Sequence, residues 1–397
     1  MGIFNNRNMK KTISILGSTG SIGRTTIEII LKNKKKFNVF LLVANKDYLN
    51  LSKQAILTKA KFVYLADKTK SKLLKKKLSK YNSIKVINNF DDLTNIFTKK
   101  NDLLMSGITG LNGLEYNLKL IPKTKKILIA NKESIICGWN LIKKQLNKNK
   151  TKIEPVDSEH FAISQLTKTI DRKFIKEIFI TASGGPFLKK KLSQLKNVSI
   201  NSALKHPNWS MGKKISIDSA TLVNKVFEII ECYRLFDIPK NKFKIIIHPQ
   251  SFVHAIIFLK NGISFALMHK PDMKVPISVL LGINNFCEND FLAFNNNFFP
   301  KNLSFKEVDN KRFPIISILK DISKKTSLFE TLLVSANDLL VDQFLKKKIS
   351  FNNISKNLIK LTKKKEFYPL KNVIPRNIKQ IRKMQELTML KTLKLSI

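Results

Sequence analysis

The stretch TISILGSTGSIGRTTIEIIL, residues 12–31, decides the architecture of this chain. Residues 12–16 form a short run rich in β-branched side chains, which predicts a strand. Residues 22–31 carry apolar side chains at helical spacing. Between them, Gly17-Ser18-Thr19-Gly20-Ser21-Ile22-Gly23 has the spacing G-x-x-G-x-x-G, a variant of the dinucleotide fingerprint. Glycines let the backbone approach a pyrophosphate, and a helix start offers unpaired N–H groups and the positive end of its dipole. Glycines also make ordinary tight turns. The strand before and the helix after are what make this an expected nucleotide site.

Further outward, residues 37–44, 62–65, 102–106 and 126–130 are apolar runs that alternate with helical stretches. The alternation predicts an α/β fold, with an N-terminal Rossmann-like parallel sheet covered by helices over 1–150. The second strand ends Val43-Ala44-Asn45-Lys46-Asp47. An NAD-binding chain usually has an acid there for the ribose hydroxyls, whereas a lysine pairs with a 2′-phosphate, so Asn45 and Lys46 favour NADPH. Asp47 either contacts a ribose or, more simply, caps the next helix. Asn131-Lys132-Glu133 comes at the carboxyl end of a strand, where ligands of open α/β sheets bind.

Residues 151–282 have a mixed α+β character, with short strands at 153–156, 178–182, 244–247 and 264–268 and one clear helix at 220–235. This region also holds His160, His206, Trp209, His248, His254 and His269. An Asn/Phe-rich stretch, 283–310, is expected to be a linker. Residues 311–397 show helical spacing and predict a C-terminal helical domain.

Several segments of the middle region carry chemistry. Asp157-Ser158-Glu159-His160 follows the strand at 153–156. If the extended conformation continues, Asp157 and Glu159 share a face. Two such carboxylates repel unless a cation lies between them, and oxygen ligands suit Mg2+ or Mn2+. The competing reading is helix capping by Asp157 or Ser158 with an acidic first turn. In Asp218-Ser219-Ala220-Thr221-Leu222-Val223-Asn224-Lys225-Val226-Phe227-Glu228, Asn224 and Glu228 are i,i+4 and Lys225 and Glu228 are i,i+3, so they share a helical face. Ser219 is expected at the start of that helix, where an anion binds readily. The set suits a phosphate and a metal, although a Lys–Glu pair is also common on plain surfaces. Ser183-Gly184-Gly185 is either a small phosphate cradle or a glycine turn. In the loop His206-Pro207-Asn208-Trp209-Ser210-Met211-Gly212, Trp209 is either a core residue or part of a lid.

Composition limits the alternatives. The formal charge is +45, yet only seven of the 73 basic residues are arginine. Arginine is the better reader of phosphates and base edges, and the lysine runs are spread along the whole chain, so no specific nucleic-acid partner is expected. Abundant Lys, Asn, Ile and Phe point to a nucleotide-composition bias. The charge still attracts anionic substrates at long range. No apolar run approaches a membrane span, and residues 1–11 lack the apolar segment of a signal peptide, so a cytoplasmic location is expected. Cys137, Cys232 and Cys287 are far apart, which suggests neither a zinc cluster nor a disulfide framework.

The chain resembles the 1-deoxy-D-xylulose 5-phosphate reductoisomerases over nearly its whole length. The resemblance rests on GSTGSIG (17–23), ANKES (130–134), PVDSEH (155–160), SGGPF (183–187), HPNWSMGKKISIDSAT (206–221), Asn224-Lys225 with Glu228, HPQS (248–251) with His254, and PDMK (271–274) with Pro276-Ile277. It implies a homodimer whose chains each have an NADPH-binding domain, a catalytic domain with a mobile flap at about 206–213, and a C-terminal helical domain. It also implies conversion of 1-deoxy-D-xylulose 5-phosphate to 2-C-methyl-D-erythritol 4-phosphate, in the non-mevalonate isoprenoid pathway. By position, Thr19, Gly20, Ser21, Ile22, Asn45, Lys46, Asp47, Asn131, Glu133 and Gly212 would hold or border NADPH. Asp157, Glu159 and Glu228 would bind Mn2+ or Mg2+. Lys132, Ser158, Ser183, His206, Ser219, Asn224, Lys225 and Glu228 would bind substrate, with Lys132 and Glu159 catalytic. Asn45 stands where the family often has glycine, Asp47 where it has asparagine, and His269-Lys270 and Ser335-Ala336-Asn337-Asp338 also depart from the usual pattern. A semialdehyde-type NADP-dependent dehydrogenase and a basic nucleic-acid-binding protein are the rival readings. The first would need a nucleophilic cysteine, and none of the three has that context.

Overall fold

Strands and helices alternate from residue 11 onward in the computed structural model, which describes residues 9–209, 211–283 and 302–395. Cys287 and most of the expected linker lie outside the described residues. The chain forms two compact units, one from the described residues of 1–131, 142–157 and 273–284, the other from those of 132–141, 158–272 and 285–397.

The first unit runs β1 (Lys11–Leu16), α1 (Ser21–Lys32), β2 (Phe37–Ala44), α2 (Tyr48–Thr58), β3 (Phe62–Leu65), α3 (Lys68–Leu78), β4 (Lys85–Ile87), β5 (Asn101–Ser106), α4 (Asn112–Leu120), β6 (Thr124–Ile129), α5 (Lys132–Asn149) and β7 (Lys152–Pro155). All neighbours in the sheet are parallel, in the order β4-β3-β2-β1-β5-β6-β7. The strand at 152–155, read from sequence with the middle region, is the edge of this sheet. Helices cover both faces, so inner strands are apolar on both sides: Ile13, Ile15, Leu16, Leu41, Leu42, Leu104 and Leu128 are all fully buried. The chain winds from β1 outward to β4, then from β5 outward to β7, and this reversal opens a crevice at the carboxyl ends of β1 and β5. A later segment, α10 (Lys274–Leu281), returns to this unit and packs on α1, with Lys274 paired to Glu28 at 2.7 Å.

The second unit contains α6 (Ser158–Leu166), β8 (Ile175–Ala182), α7 (Ile200–Leu204), α8 (Lys213–Thr221), α9 (Val223–Phe236), β9 (Phe243–Ile247), β10 (Val253–Leu259), β11 (Ser264–Met268), α11 (Leu328–Leu345), α12 (Phe351–Thr362) and α13 (Ile378–Leu393). Its sheet has the order β11-β10-β8-β9, antiparallel except for β8 with β9. Helices α6 and α9 pack against it. Helix α11 begins with a capping box in which Ser327 and Glu330 satisfy each other's backbone N–H groups.

The single helix expected at 220–235 is in fact two. Leu222 takes a left-handed conformation, φ 64° and ψ 9°, which ends α8 and starts α9. Ser219 therefore lies in the last turn of α8 and not at a helix N-terminus. Asn224 and Lys225 occupy that position instead. Among the described residues no helix is long and apolar enough to cross a membrane.

Candidate functional site

The nucleotide turn is shaped by close backbone approach. Gly17 has φ +74°, and a Cβ on it would lie 2.7 Å from the carbonyl oxygen of Gly107, in the loop after β5. A Cβ on Gly23 would meet the Gly17 oxygen at 2.3 Å. Only glycine lets α1 start against the turn. Thr19 and Gly20 lie in the turn, Ser21 and Ile22 open α1, and the Gly20 N–H is already used on the Gly17 oxygen at 2.9 Å. Asn45 and Lys46 are exposed after β2. Asp47 caps α2: its two carboxylate oxygens accept from the Asn50 N–H at 3.1 Å and from the Asn50 side chain at 2.7 Å. Its charge is thus engaged locally, and Lys46 is the charged group left facing solvent at this strand end. Asn131 is buried and donates to the Gly110 carbonyl at 3.0 Å, so it pins the loop after β5.

The acidic cluster is built around two helix starts. The extended backbone ends at Pro155, and Ser158 begins α6, so the continued strand expected through Asp157 and Glu159 does not occur. Glu159 sits in the first helical turn, and Asp157 immediately precedes it. Carboxylate oxygens of Asp157, Glu159 and Glu228 nonetheless lie within 4.8 Å of one another. Ser158 donates to Glu159 at 2.5 Å. Lys225 is buried between acids, with its Nζ 2.8 Å from Glu159 and 2.5 Å from Glu228. Burial opposes the ammonium charge, but the two carboxylates overcome it and raise the pKa above the ordinary lysine value. Asn224 also donates to Glu228. Lys132 Nζ lies 3.3 Å from Glu228 and 3.8 Å from Glu231.

Sequence reading missed Glu231, although its i+3 spacing from Glu228 on one helix face was visible. It also missed His160, which sits 3.0 Å from the Glu228 carbonyl and ties α6 to α9. Counting Glu231, four carboxylates face two ammonium groups, leaving a formal excess of two negative charges. Hard oxygen donors with that excess fit one divalent cation of the Mg2+ or Mn2+ type.

Beside this cluster is a polar cradle. His206 Nδ1 accepts from the backbone N–H groups of Asn208 at 3.2 Å and Trp209 at 3.1 Å. The ring proton therefore sits on Nε2 and is donated to Ser183 Oγ, 2.8 Å away. Burial lowers the His206 pKa to about 4, which keeps the ring neutral. Ser183 Oγ accepts a second bond from the Gly185 N–H at 3.1 Å. With both lone pairs used, the hydroxyl proton of Ser183 is free to point at an incoming anion. A Cβ on Gly185 would touch the Ala220 Cα at 2.8 Å, so the glycine lets this turn sit against α8 next to Ser219. Trp209 meets the His254 ring edge-on at 6.0 Å, and His254 stacks on His269 at 3.8 Å. Gly212 is exposed and caps α8, and Glu133 is buried against Lys214 at 3.2 Å.

Lys132 is set by a broken helix. Gly138, at φ −128° and ψ 18°, interrupts α5. The break removes helical partners from carbonyls in the preceding turn, and buried Arg234 donates to those of Ile135 and Ile136. Its remaining charge pairs with Glu330 in α11, which is fully buried.

One unit carries a glycine turn at the crevice of a parallel sheet and the other an acidic, lysine-paired centre, features of the class of nucleotide-dependent enzymes. Comparison with known proteins names the family. Family models match three segments: 1-deoxy-D-xylulose 5-phosphate reductoisomerase at residues 13–138, its C-terminal domain at 153–236, and DXP reductoisomerase C-terminal domain at 268–389. A curated 1-deoxy-D-xylulose 5-phosphate reductoisomerase from Pelagibacter ubique is 47% identical over 394 residues, covering 98% of this chain and 100% of the relative. One from the Wolbachia of Brugia malayi is 40% identical, covering 89% and 90%. Among solved structures, the reductoisomerase from Zymomonas mobilis in complex with NADPH matches with a TM-score of 0.85 and 32% identity, over 98% of both chains. A DOX-P reductoisomerase with NADPH, fosmidomycin and magnesium matches with a TM-score of 0.88 and 28% identity, over 97% of this chain and 98% of that one. This chain belongs to the 1-deoxy-D-xylulose 5-phosphate reductoisomerase family. It is an oxidoreductase and isomerase, and full-length membership sets aside the semialdehyde dehydrogenase and nucleic-acid-binding readings.

Proposed function

We propose that the chain converts 1-deoxy-D-xylulose 5-phosphate to 2-C-methyl-D-erythritol 4-phosphate, using NADPH and Mg2+ or Mn2+, in the cytoplasm as an early step of isoprenoid precursor synthesis. The observation that carries the metal and substrate reading is the excess negative charge around Asp157, Glu159 and Glu228, with Lys225 held between two of them.

Thr19, Ser21 and Ile22 hold the cofactor diphosphate through backbone N–H groups, Gly20 shapes the turn that presents them, and Lys46 faces the 2′-phosphate. Asn131, Glu133 and Gly212 border the cofactor, and Asp157, Glu159 and Glu228 hold the ion. When bound, the ion supplies Lewis-acid polarisation and NADPH supplies the hydride. Ser183, Ser219, Asn224 and Lys225 anchor the phosphate, His206 orients the Ser183 hydroxyl toward the substrate, and that remote binding energy helps orient the reacting carbons. Lys132 Nζ stabilises negative charge developing on a substrate oxygen. Glu159 moves a proton at its carboxylate, and Ser158 orients that carboxylate.

The test follows NADPH absorbance with purified protein, 1-deoxy-D-xylulose 5-phosphate and Mn2+. Substrate-dependent oxidation that EDTA abolishes and NADH barely supports is the expected result. A folded, NADPH-binding protein without turnover would overturn the assignment.

The protein acts as a homodimer. Strand β11 is a sheet edge that exposes Ile263, Phe265 and Met268 at or beside it, an apolar edge suited to pairing with a second copy. Phe265→Lys should shift the mass measured by light scattering toward a monomer. An unchanged mass would remove β11 from the interface.

A further inference from the structure

Lys214 is surrounded by three carboxylates from three helices. Its Nζ lies 3.0 Å from Asp218 in α8, 3.0 Å from Asp338 in α11 and 3.2 Å from Glu133 in α5. Asp218 accepts a further bond from Asn337 at 2.7 Å, so α11 holds the cluster at two neighbouring residues. The ammonium also lies 5.4 Å from the Phe227 ring of α9. Lys214 sits in the first turn of α8, which contains no acid. A cation there opposes the helix dipole, and the neighbouring carboxylates offset that cost. Burial works against the charge, but the three acids more than restore it and hold the lysine pKa above its ordinary value.

The cluster adjoins two segments of the acidic centre and the polar cradle. Glu133 is the direct neighbour of Lys132, whose ammonium reaches Glu228. Asp218 is the direct neighbour of Ser219, on the helix against which the Ser183-Gly184-Gly185 turn packs. One ammonium thus joins the two backbone segments that present Lys132 and Ser219.

We propose that Lys214 is a positioning residue for the reaction, fixing the start of α5 and the helix α8 in register so that Lys132 and Ser219 address the same substrate. Asp338, from the C-terminal helical region, is the far anchor of this staple. The proposal rests on the assignment of Lys132 and Ser219 to the sugar phosphate.

Steady-state kinetics of Lys214→Gln test it. The KM for 1-deoxy-D-xylulose 5-phosphate should rise about tenfold and kcat fall several-fold, while the KM for NADPH, whose site Glu133 borders, changes clearly less. Lys214→Arg should recover part of the loss, because it keeps the charge although its planar fork replaces a compact ammonium. Asp338→Asn, which leaves the ammonium two acids, should raise the substrate KM about threefold. Substrate constants within twofold of wild type in folded Lys214→Gln would overturn the proposal. A loss that raises both KM values in step with a drop in Tm would also overturn it, since that reports general loosening. If Lys214→Gln fails to fold, Asp338→Asn decides, and an unchanged substrate KM there counts against the proposal. Lys132→Ala separates the two levels: normal kinetics in that variant would sink the substrate assignment itself, whereas a loss there with normal Lys214→Gln kinetics sinks only the staple.

Discussion

The glycine turn of the first unit and the acidic centre of the second both suit charged ligands, but by different means. In the turn, the work is done by backbone: Gly17 and Gly23 permit approaches that any Cβ would block. In the acidic centre, the backbone only positions the side chains that supply the charges, with Lys225 and Lys132 set among Glu159, Glu228 and Glu231. A backbone site fails when a side chain is added. A side-chain site fails when one charge is removed. Substitutions in the two units should therefore fail in different ways.

The largest expected effect is at Glu228. Glu228→Gln should lower kcat by about a thousandfold, or ~4 kcal/mol of transition-state stabilisation, with circular dichroism unchanged. Activity within tenfold of wild type at limiting Mg2+ would show that this centre does not hold the ion. Next is Arg234→Met, which leaves Glu330 buried without its partner and should cost about 3 kcal/mol in urea unfolding. Gly23→Ala should cost roughly 2 kcal/mol through backbone displacement and weaken NADPH binding in fluorescence titration. Tight NADPH binding by that variant would break the comparison, because the turn would then tolerate a side chain. Asp47→Ala removes the α2 cap and should cost about 1 kcal/mol, with little change in cofactor preference. The smallest effect is a slope. His206 has a folded-state pKa of about 4 against 6.5 for the free ring, so the unfolded chain binds more protons between those values. The associated stability is complete above pH 6.5 and declines as pH falls toward 4. Thermal melts of His206→Gln across this window should show a shallower decline than wild type.

Local features were legible in the sequence. The glycine turn and the strands at 37–44 and 62–65 rest on neighbours in the chain, and the shared face of Asn224, Lys225 and Glu228 rests on helical period alone. The break at Leu222 was not legible. A left-handed residue is usually signalled by glycine or asparagine, and here a buried leucine adopts it at a cost of about 1–3 kcal/mol. That hidden break is why Ser219 was misplaced at a helix start. The Lys214 cluster and the Arg234–Glu330 pair were also hidden, because their partners lie 81 and 96 residues apart in the chain. Lys132 was found by its place after a strand and by the ANKES segment of the family resemblance. The break at Gly138 and the arginine that fixes it depend on tertiary packing.

The Arg234 clamp also has a consequence for synthesis. Glu330 follows Arg234 by 96 residues, so at ~5–20 residues per second the arginine waits roughly 5–20 s for its counter-ion. The first unit waits as well, since Lys11 closes onto the Leu281 carbonyl, 270 positions later. Neither unit can reach its final form early on the ribosome. Arg234 lacks its counter-ion until residue 330 has been made, and a slow stretch of codons between residues 234 and 330 would lengthen the period in which the nascent chain is open to aggregation and proteolysis.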